Sequence, residues 1–169
     1  MAKFLSRISG KTKEVTPITT SSGAGDASKI PQTDSDGRFH ISLMPSGIGP
    51  ATVVLPASEA LSAGNFVNIW NDAGTIKVRK SDATTAGKEA DGFVLSAVSS
   101  SANATVYKRG TNTSMAGLTA GSEYYLSTTA GGVTALPGPT GAGNVSQFIG
   151  KATSATELEF EKYEAVELV

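Results

Sequence analysis

Apolar residues along this chain come in short groups set two apart, broken by glycine, proline and small polar residues, a strand period rather than a helical one. Residues 51–55 form a β-branched run that Pro56 stops. Residues 65–70 alternate with Phe66 and Val67 apolar, residues 71–74 make a turn and 75–78 return, which predicts a hairpin. Further strands are predicted over 91–98 and 105–107, then over 123–126, 133–136, 145–152 and 158–160, with a turn at 129–132. Only residues 58–61 suggest a single helical turn. Short strands at regular spacing, joined by glycine turns, predict an all-β fold, either a small β-barrel or a sandwich.

The pattern is written twice. Residues 61–78 align without a gap on residues 118–135, so that Leu61 meets Leu118, Gly64 meets Gly121, and Ala73-Gly74 meets Ala130-Gly131. A further echo, at a slightly shorter offset, sets Gly92-Phe93-Val94 on Gln147-Phe148-Ile149 and Ala97 on Ala152. The chain from 51 to 169 is therefore read as a β-domain of two related strand-turn units, about 57–107 and 116–161, forming one barrel or two lobes. The copies agree at their turns and differ on their strands. Phe66 falls on Glu123 and Trp70 on Ser127, so the Trp70 and Tyr124 surfaces are expected to do different jobs, one as core and the other as contact.

Residues 1–50 look different. A short basic and apolar head (Lys3, Phe4, Leu5, Arg7, Ile8) precedes a stretch of Thr, Ser, Gly, Asp and Pro over 16–37, in which Ile18 and Ile30 are the only large apolar side chains. Such a stretch buries too little area to offset its ordering entropy. Residues 38–44 then concentrate apolar side chains, with Phe39, Ile41, Leu43 and Met44, before Pro45. Six Lys or Arg stand against four Asp or Glu in this region. It reads as an extended N-terminal arm with a sticky patch at each end, Phe4, Leu5, Ile8, Ile30, Phe39, Ile41, Leu43 and Met44 being the candidate partner contacts. The other end is acidic: residues 157–169 hold five glutamates and one lysine, and Glu157, Glu159 and Glu161 flank Leu158 and Phe160 in strict alternation, as in an exposed strand with a solvated face or a guarded sheet edge.

Composition narrows the chemistry. The chain has 169 residues, enough for one real core, with 19 glycines and only 17% charged residues. A net charge of −1 leaves no basic footprint for nucleic acid. No window approaches the ~20 apolar residues that cross a bilayer, and no signal peptide is visible at the start, so no membrane partner and cytoplasmic synthesis are expected. With no cysteine and a single histidine, His40, a structural zinc site is out of reach and every catalytic triad would have to run through the arm. Gly10-Lys11-Thr12 ends like a phosphate loop, but Leu5 stands where its leading glycine belongs; Gly87-Lys88 fails at both Asp82 and Glu89. Oxygen-only calcium binding by Asp72, Asp82 or Asp91 lacks the spacing of an EF-hand. Trp70, Tyr124 and Tyr125 suit core or subunit packing better than a ligand surface. No catalytic residue, metal site or cofactor is expected.

Three segments carry a family resemblance. Lys29-Ile30-Pro31 through Asp34, Gly37-Arg38 and Ser42-Leu43-Met44-Pro45 resembles a segment of fibre and head-decorating proteins of tailed bacteriophages. Residues 60–78, followed by Ala86-Gly87-Lys88-Glu89-Ala90-Asp91-Gly92-Phe93-Val94, look like the small β-domains of phage capsid decoration (cement) proteins, and residues 124–133 resemble a segment frequent in virion proteins. The resemblance implies a structural virion protein on the capsid exterior, a homotrimer that binds the major capsid protein and sister subunits and stabilises the shell. A tail fibre, spike or neck component contacting the host surface is the alternative. From a different class, a small enzyme or ligand-binding β-domain would announce itself by a pocket with converging acids.

Overall fold

The computed structural model describes residues 3–45, 48–135 and 140–169 of the protein. Two compact units divide the chain, Met1–Gly49 and Pro50–Val169. Among the described residues no helix is long and apolar enough to cross a membrane.

The first unit is not simply an extended arm. It opens with an antiparallel hairpin of β1 (Phe4–Ile8) and β2 (Lys11–Val15), which the sequence reading did not anticipate. Its two-residue turn uses Ser9 and Gly10, both at positive φ (53° and 78°), the geometry that matches the twist of paired strands. The missed signal was the Ser9-Gly10 turn pair between the two short runs. The 38–44 segment, whose alternation suggested extended chain, instead holds a 3₁₀ turn at Ile41–Leu43. His40 causes it: its ring nitrogen accepts from the Ser42 N–H and caps the turn.

The second unit is all β. Its strands are β3 (Thr52–Pro56), β4 (Phe66–Asp72), β5 (Thr75–Lys80), β6 (Gly92–Phe93), β7 (Asn103–Tyr107), β8 (Gly110–Asn112), β9 (Glu123–Leu126), β10 (Val133–Thr134), β11 (Val145–Ala152), β12 (Leu158–Phe160) and β13 (Ala165–Glu167). One sheet runs β3-β7-β6-β4-β5 and the other β8-β12-β11-β9-β10, with β13 added beside the first half of β11. All these strand pairs are antiparallel, and the two sheets follow one plan. Neither path closes into a barrel, although a bridge between Ala57 and Val78 curls the end of β3 towards β5.

The duplication extends to single hydrogen bonds. Gly64 N–H donates to the Val94 carbonyl, as Gly121 N–H does to that of Ala152, both at 2.8 Å. Leu61 N–H donates to Val98 and Leu118 N–H to Ala155. The pairing also corrects the sequence echo: Gly92 faces Val67 on β4 as Gly150 faces Tyr124 on β9, so Gly150, not Gln147, is the counterpart of Gly92. The reason is steric. A Cβ at Gly92 would meet the Tyr107 carbonyl and the Val106 side chain; one at Gly150 would meet the Glu159 carbonyl and the Leu158 side chain. In both copies glycine lets the next strand lie close.

The turns, by contrast, are not equivalent. Ala73 and Gly74 (φ 48° and 93°) form a two-residue loop between Asp72 and Thr75. In the second copy pairing stops at Leu126 and Val133, so Ala130-Gly131 lies within a wider loop. That loop reaches the first sheet: the Gly131 carbonyl accepts from Phe66 N–H at 3.0 Å, and Gly131 N–H donates to Ser81 at 2.7 Å. Other expectations fail for similar reasons. The predicted strand over 91–98 shrinks to β6, because Val94 and Val98 pair with the loop at Asn65 and Leu61 instead of a strand. No helical turn forms at 58–61, since the Ser58 and Leu61 N–H groups bond to Val78 and Val98. Leu136, expected to end the strand begun at Val133, lies outside the described residues. β12 is no guarded edge; it runs between β11 and β8, with Leu158 and Phe160 buried and Glu159 facing out.

Two cores result. One lies under the first sheet, with Leu61, Val67, Val78, Val94 and Val106. The other joins the copies: Phe66 and Phe93 from the first sheet meet Phe160, Leu126, Ile149 and Leu158 from the second. Phe160 lies 5.4 Å from Phe66 and 5.9 Å from Phe93, centroid to centroid, in tilted and edge-on arrangements that aromatic quadrupoles favour. Successive residues Phe66 and Val67 thus serve different cores, as strand alternation requires. Gly150→Ala is expected to cost about 3 kcal/mol or more, since a backbone carbonyl cannot yield to the new methyl. Gly117→Ala, at φ 72° with open space around it, is expected to cost only about 1 kcal/mol. Chemical denaturation of the two variants checks the contrast.

Candidate functional site

Most of the arm's candidate contact residues are exposed. Phe4, Leu5, Ile8, Phe39, Ile41 and Met44 all lie open, Leu5 most of all at 78%, while Ile30 and Leu43 are half-buried. Strand alternation sorts the hairpin into two faces. Phe4 opposite Val15 and Ile8 opposite Lys11 share one face with Lys13; Leu5 opposite Glu14 and Arg7 opposite Thr12 share the other. A two-stranded hairpin is only marginally stable in water without a surface to cover it. Further along, Ile18 and Pro31 form a parallel bridge, and two turns are organised by carboxylates. The Lys29 ammonium, with the N–H and hydroxyl of Ser22, holds the Asp26 carboxyl far below its usual range. Asp34 accepts from the Arg38 and Asp36 N–H groups, and these bonds lower its pKa against a smaller opposing effect of desolvation.

His40 and Ser42 are in contact, Nδ1 to Oγ at 2.8 Å, but the pair is exposed and its geometry is that of a turn cap. The Ser42 oxygen also accepts from Ser21 N–H, which ties this turn to the earlier loop.

In the β-domain the three acids considered for calcium are each engaged separately. Asp72 holds Lys77 at 2.8 Å. Asp82, largely buried, accepts from the Thr84 N–H and hydroxyl and from Lys88; burial alone would raise its pKa, and these bonds outweigh it and lower it. Asp91 accepts from Ile69 N–H at 2.8 Å and from Lys162 at 2.6 Å. Among the described residues no three His, Cys, Asp or Glu side chains gather as a metal site. Asp91 and Lys162 border two shallow clefts, of about 480 Å³ and 470 Å³, that lie along the C-terminal segment.

The two aromatic surfaces differ in burial. Tyr124 is core, its hydroxyl accepting from Thr119 N–H at 2.9 Å. Trp70 is only half-buried, with the Arg79 guanidinium 4.5 Å from its ring centre. On the opposite face from Tyr124, Tyr125, Phe148 and Tyr163 form an edge-to-face row at 5.5 Å and 5.0 Å.

Sequence reasoning missed the buried amides. Gln147 is fully buried; its Oε1 accepts from Ala90 N–H at 2.7 Å, and its Nε2 donates to the carbonyls of Ala90 and Tyr163. Asn112 donates to the Gly64 carbonyl in the same way, from the second sheet to the first. The available signal was the position of Gln147, on the inward side of β11 between Val145 and Ile149. Gln147→Leu strands the Ala90 amide and loosens the C-terminal segment; a loss of about 2–4 kcal/mol is expected. Hydrogen exchange at Ala165–Glu167 checks it, and should accelerate before that of the aromatic core.

Compared with models of protein families and with curated proteins, the chain matches none.

Proposed function

We propose that this chain is a structural protein of a tailed-bacteriophage virion, which decorates the capsid exterior and stabilises the shell by binding the major capsid protein and sister subunits, as a homotrimer. It acts by binding and not by catalysis. The observation that carries the reading is the contrast between its two units. The body packs Phe66, Phe93, Phe160 and Tyr124 in its core and engages its buried carboxylates with its own lysines and backbone. The N-terminal unit leaves Phe4, Leu5, Ile8, Phe39, Ile41 and Met44 in solvent, a density of exposed apolar side chains that marks an interaction surface. The sequence resemblance to decoration proteins supplies the shell as partner.

The mechanism is multivalent clamping. Each arm contributes a modest contact, and repeated arms on a lattice add through high effective concentration. A hairpin with an open edge is suited to strand addition, where backbone hydrogen bonds supply affinity without a strict side-chain code.

Mixing purified protein with undecorated heads and imaging the product tests this. Full-length protein is expected to coat the heads, and protein lacking residues 1–49 is expected to fold but not to bind. Leu5→Ser with Ile41→Ser, both at exposed positions, should weaken binding about tenfold or more without lowering the melting temperature. Unchanged binding by the shortened protein contradicts the proposal, and labelling confined to the tail favours the fibre or spike alternative.

A further inference from the structure

The hairpin β1–β2 and the C-terminal segment are opposites in charge and alike in exposure. The hairpin over residues 3–15 carries four basic residues against one glutamate, Lys3 being paired with Glu14 at 2.9 Å. Among the described residues Lys11 and Lys13 make no ion pair, and they share a face with Phe4 and Ile8. The segment over 157–169 carries five glutamates against one lysine. Within it, β13 pairs with β11 on one side and meets no other strand among the described residues, and Val166 is 62% exposed. Glu164 precedes this open strand and Glu167 is its last residue.

We infer that the basic hairpin of one copy docks on the acidic, open strand β13 of a second copy. Like-with-like alternatives are disfavoured by charge, because hairpin on hairpin sets lysines against lysines and β13 on β13 sets glutamates against glutamates. The favoured contact is head-to-tail. Such heterologous contacts close into a ring when the rotation allows, which gives an assembly of several copies from one kind of interface. Phe4 and Ile8 beside the lysines, and Val166 beside the glutamates, supply the apolar centre that a purely ionic contact would lack. The inference rests on the reading above that the N-terminal unit is the contact element, and it names a sister copy as its occupant.

Sedimentation of the full chain over a range of concentrations tests it. Wild type is expected to associate, and association should weaken as salt rises from about 0.1 M to 1 M, where the screening length falls from ~10 Å to ~3 Å. Lys11→Glu with Lys13→Glu is expected to weaken association about tenfold, and so is Glu164→Lys with Glu167→Lys. All four changes in one chain should restore it, which loss of folding cannot do. A concentration-independent monomer overturns the inference, as does association indifferent to both reversals; docking of the hairpin on its own chain's β13 would give the monomer. Binding to undecorated heads is scored separately. A monomer that coats heads overturns this inference and the homotrimer but leaves capsid binding standing, and a self-associating protein that ignores heads overturns capsid binding alone.

Discussion

The two β-units meet at a backbone seam, and the rest of the body depends on it. Gly131, in the wide loop of the second unit, accepts from Phe66 and donates to Ser81 of the first, and Ala83 N–H donates to Ser127 close by. Asn112 and Gln147 extend the seam with amide bonds to the Gly64 carbonyl and the Ala90 backbone. Ser81 shows that main chain does this work: its hydroxyl is the one buried side-chain polar atom without a partner among the described residues. With the backbones fixed in register, Phe66 and Phe93 are delivered against Phe160, and burying each ring contributes about 2–3 kcal/mol. Water is kept from the bonds by the rings, and the rings are kept in place by the bonds.

Divergence of the copies made this joint possible. Had the second hairpin kept a two-residue loop like that at Ala73-Gly74, no chain would reach Phe66 and Ser81. Its shortened strands and widened loop trade local pairing for contact with the other unit. The same division separates body from arm. Among the described residues the body's buried side-chain polar atoms are matched internally except for the Ser81 hydroxyl, whereas the N-terminal unit leaves Phe4, Leu5, Ile8, Phe39, Ile41 and Met44 exposed.

Legibility in the sequence followed the range of the interaction. Strands β9, β11 and β12 were placed to the residue, because alternation and flanking glycines are local signals and these strands pair along most of their length. The repeat was visible at Leu61 and Leu118 and at Gly64 and Gly121, where local turn geometry is shared. The Gly92–Gly150 equivalence was not, because the constraint is the carbonyl of a strand that folds back later in the chain. β1 and β2 were missed because polar and charged residues (Ser6, Arg7, Lys11, Thr12, Lys13, Glu14) outnumber their apolar ones. Of the candidate contact residues, sequence identified the apolar set; the faces they occupy emerged only from the hairpin's register. The buried amides were hard to read for a plainer reason, since a polar residue on a strand reads as exposed until its partner is known, although the place of Gln147 between Val145 and Ile149 marked it as inward.

The central claim is that the protein works through its exposed N-terminal unit while the body serves as a rigid mount. Hydrogen exchange of the full chain, free and bound to undecorated heads, tests it most directly. The account expects strong protection to appear on binding at the amides of Phe4–Ile8, Lys11–Val15 and Ile41–Leu43, with little change at β4 and β11. Binding that leaves those arm amides exchanging as in free protein, and protects the body instead, would contradict it.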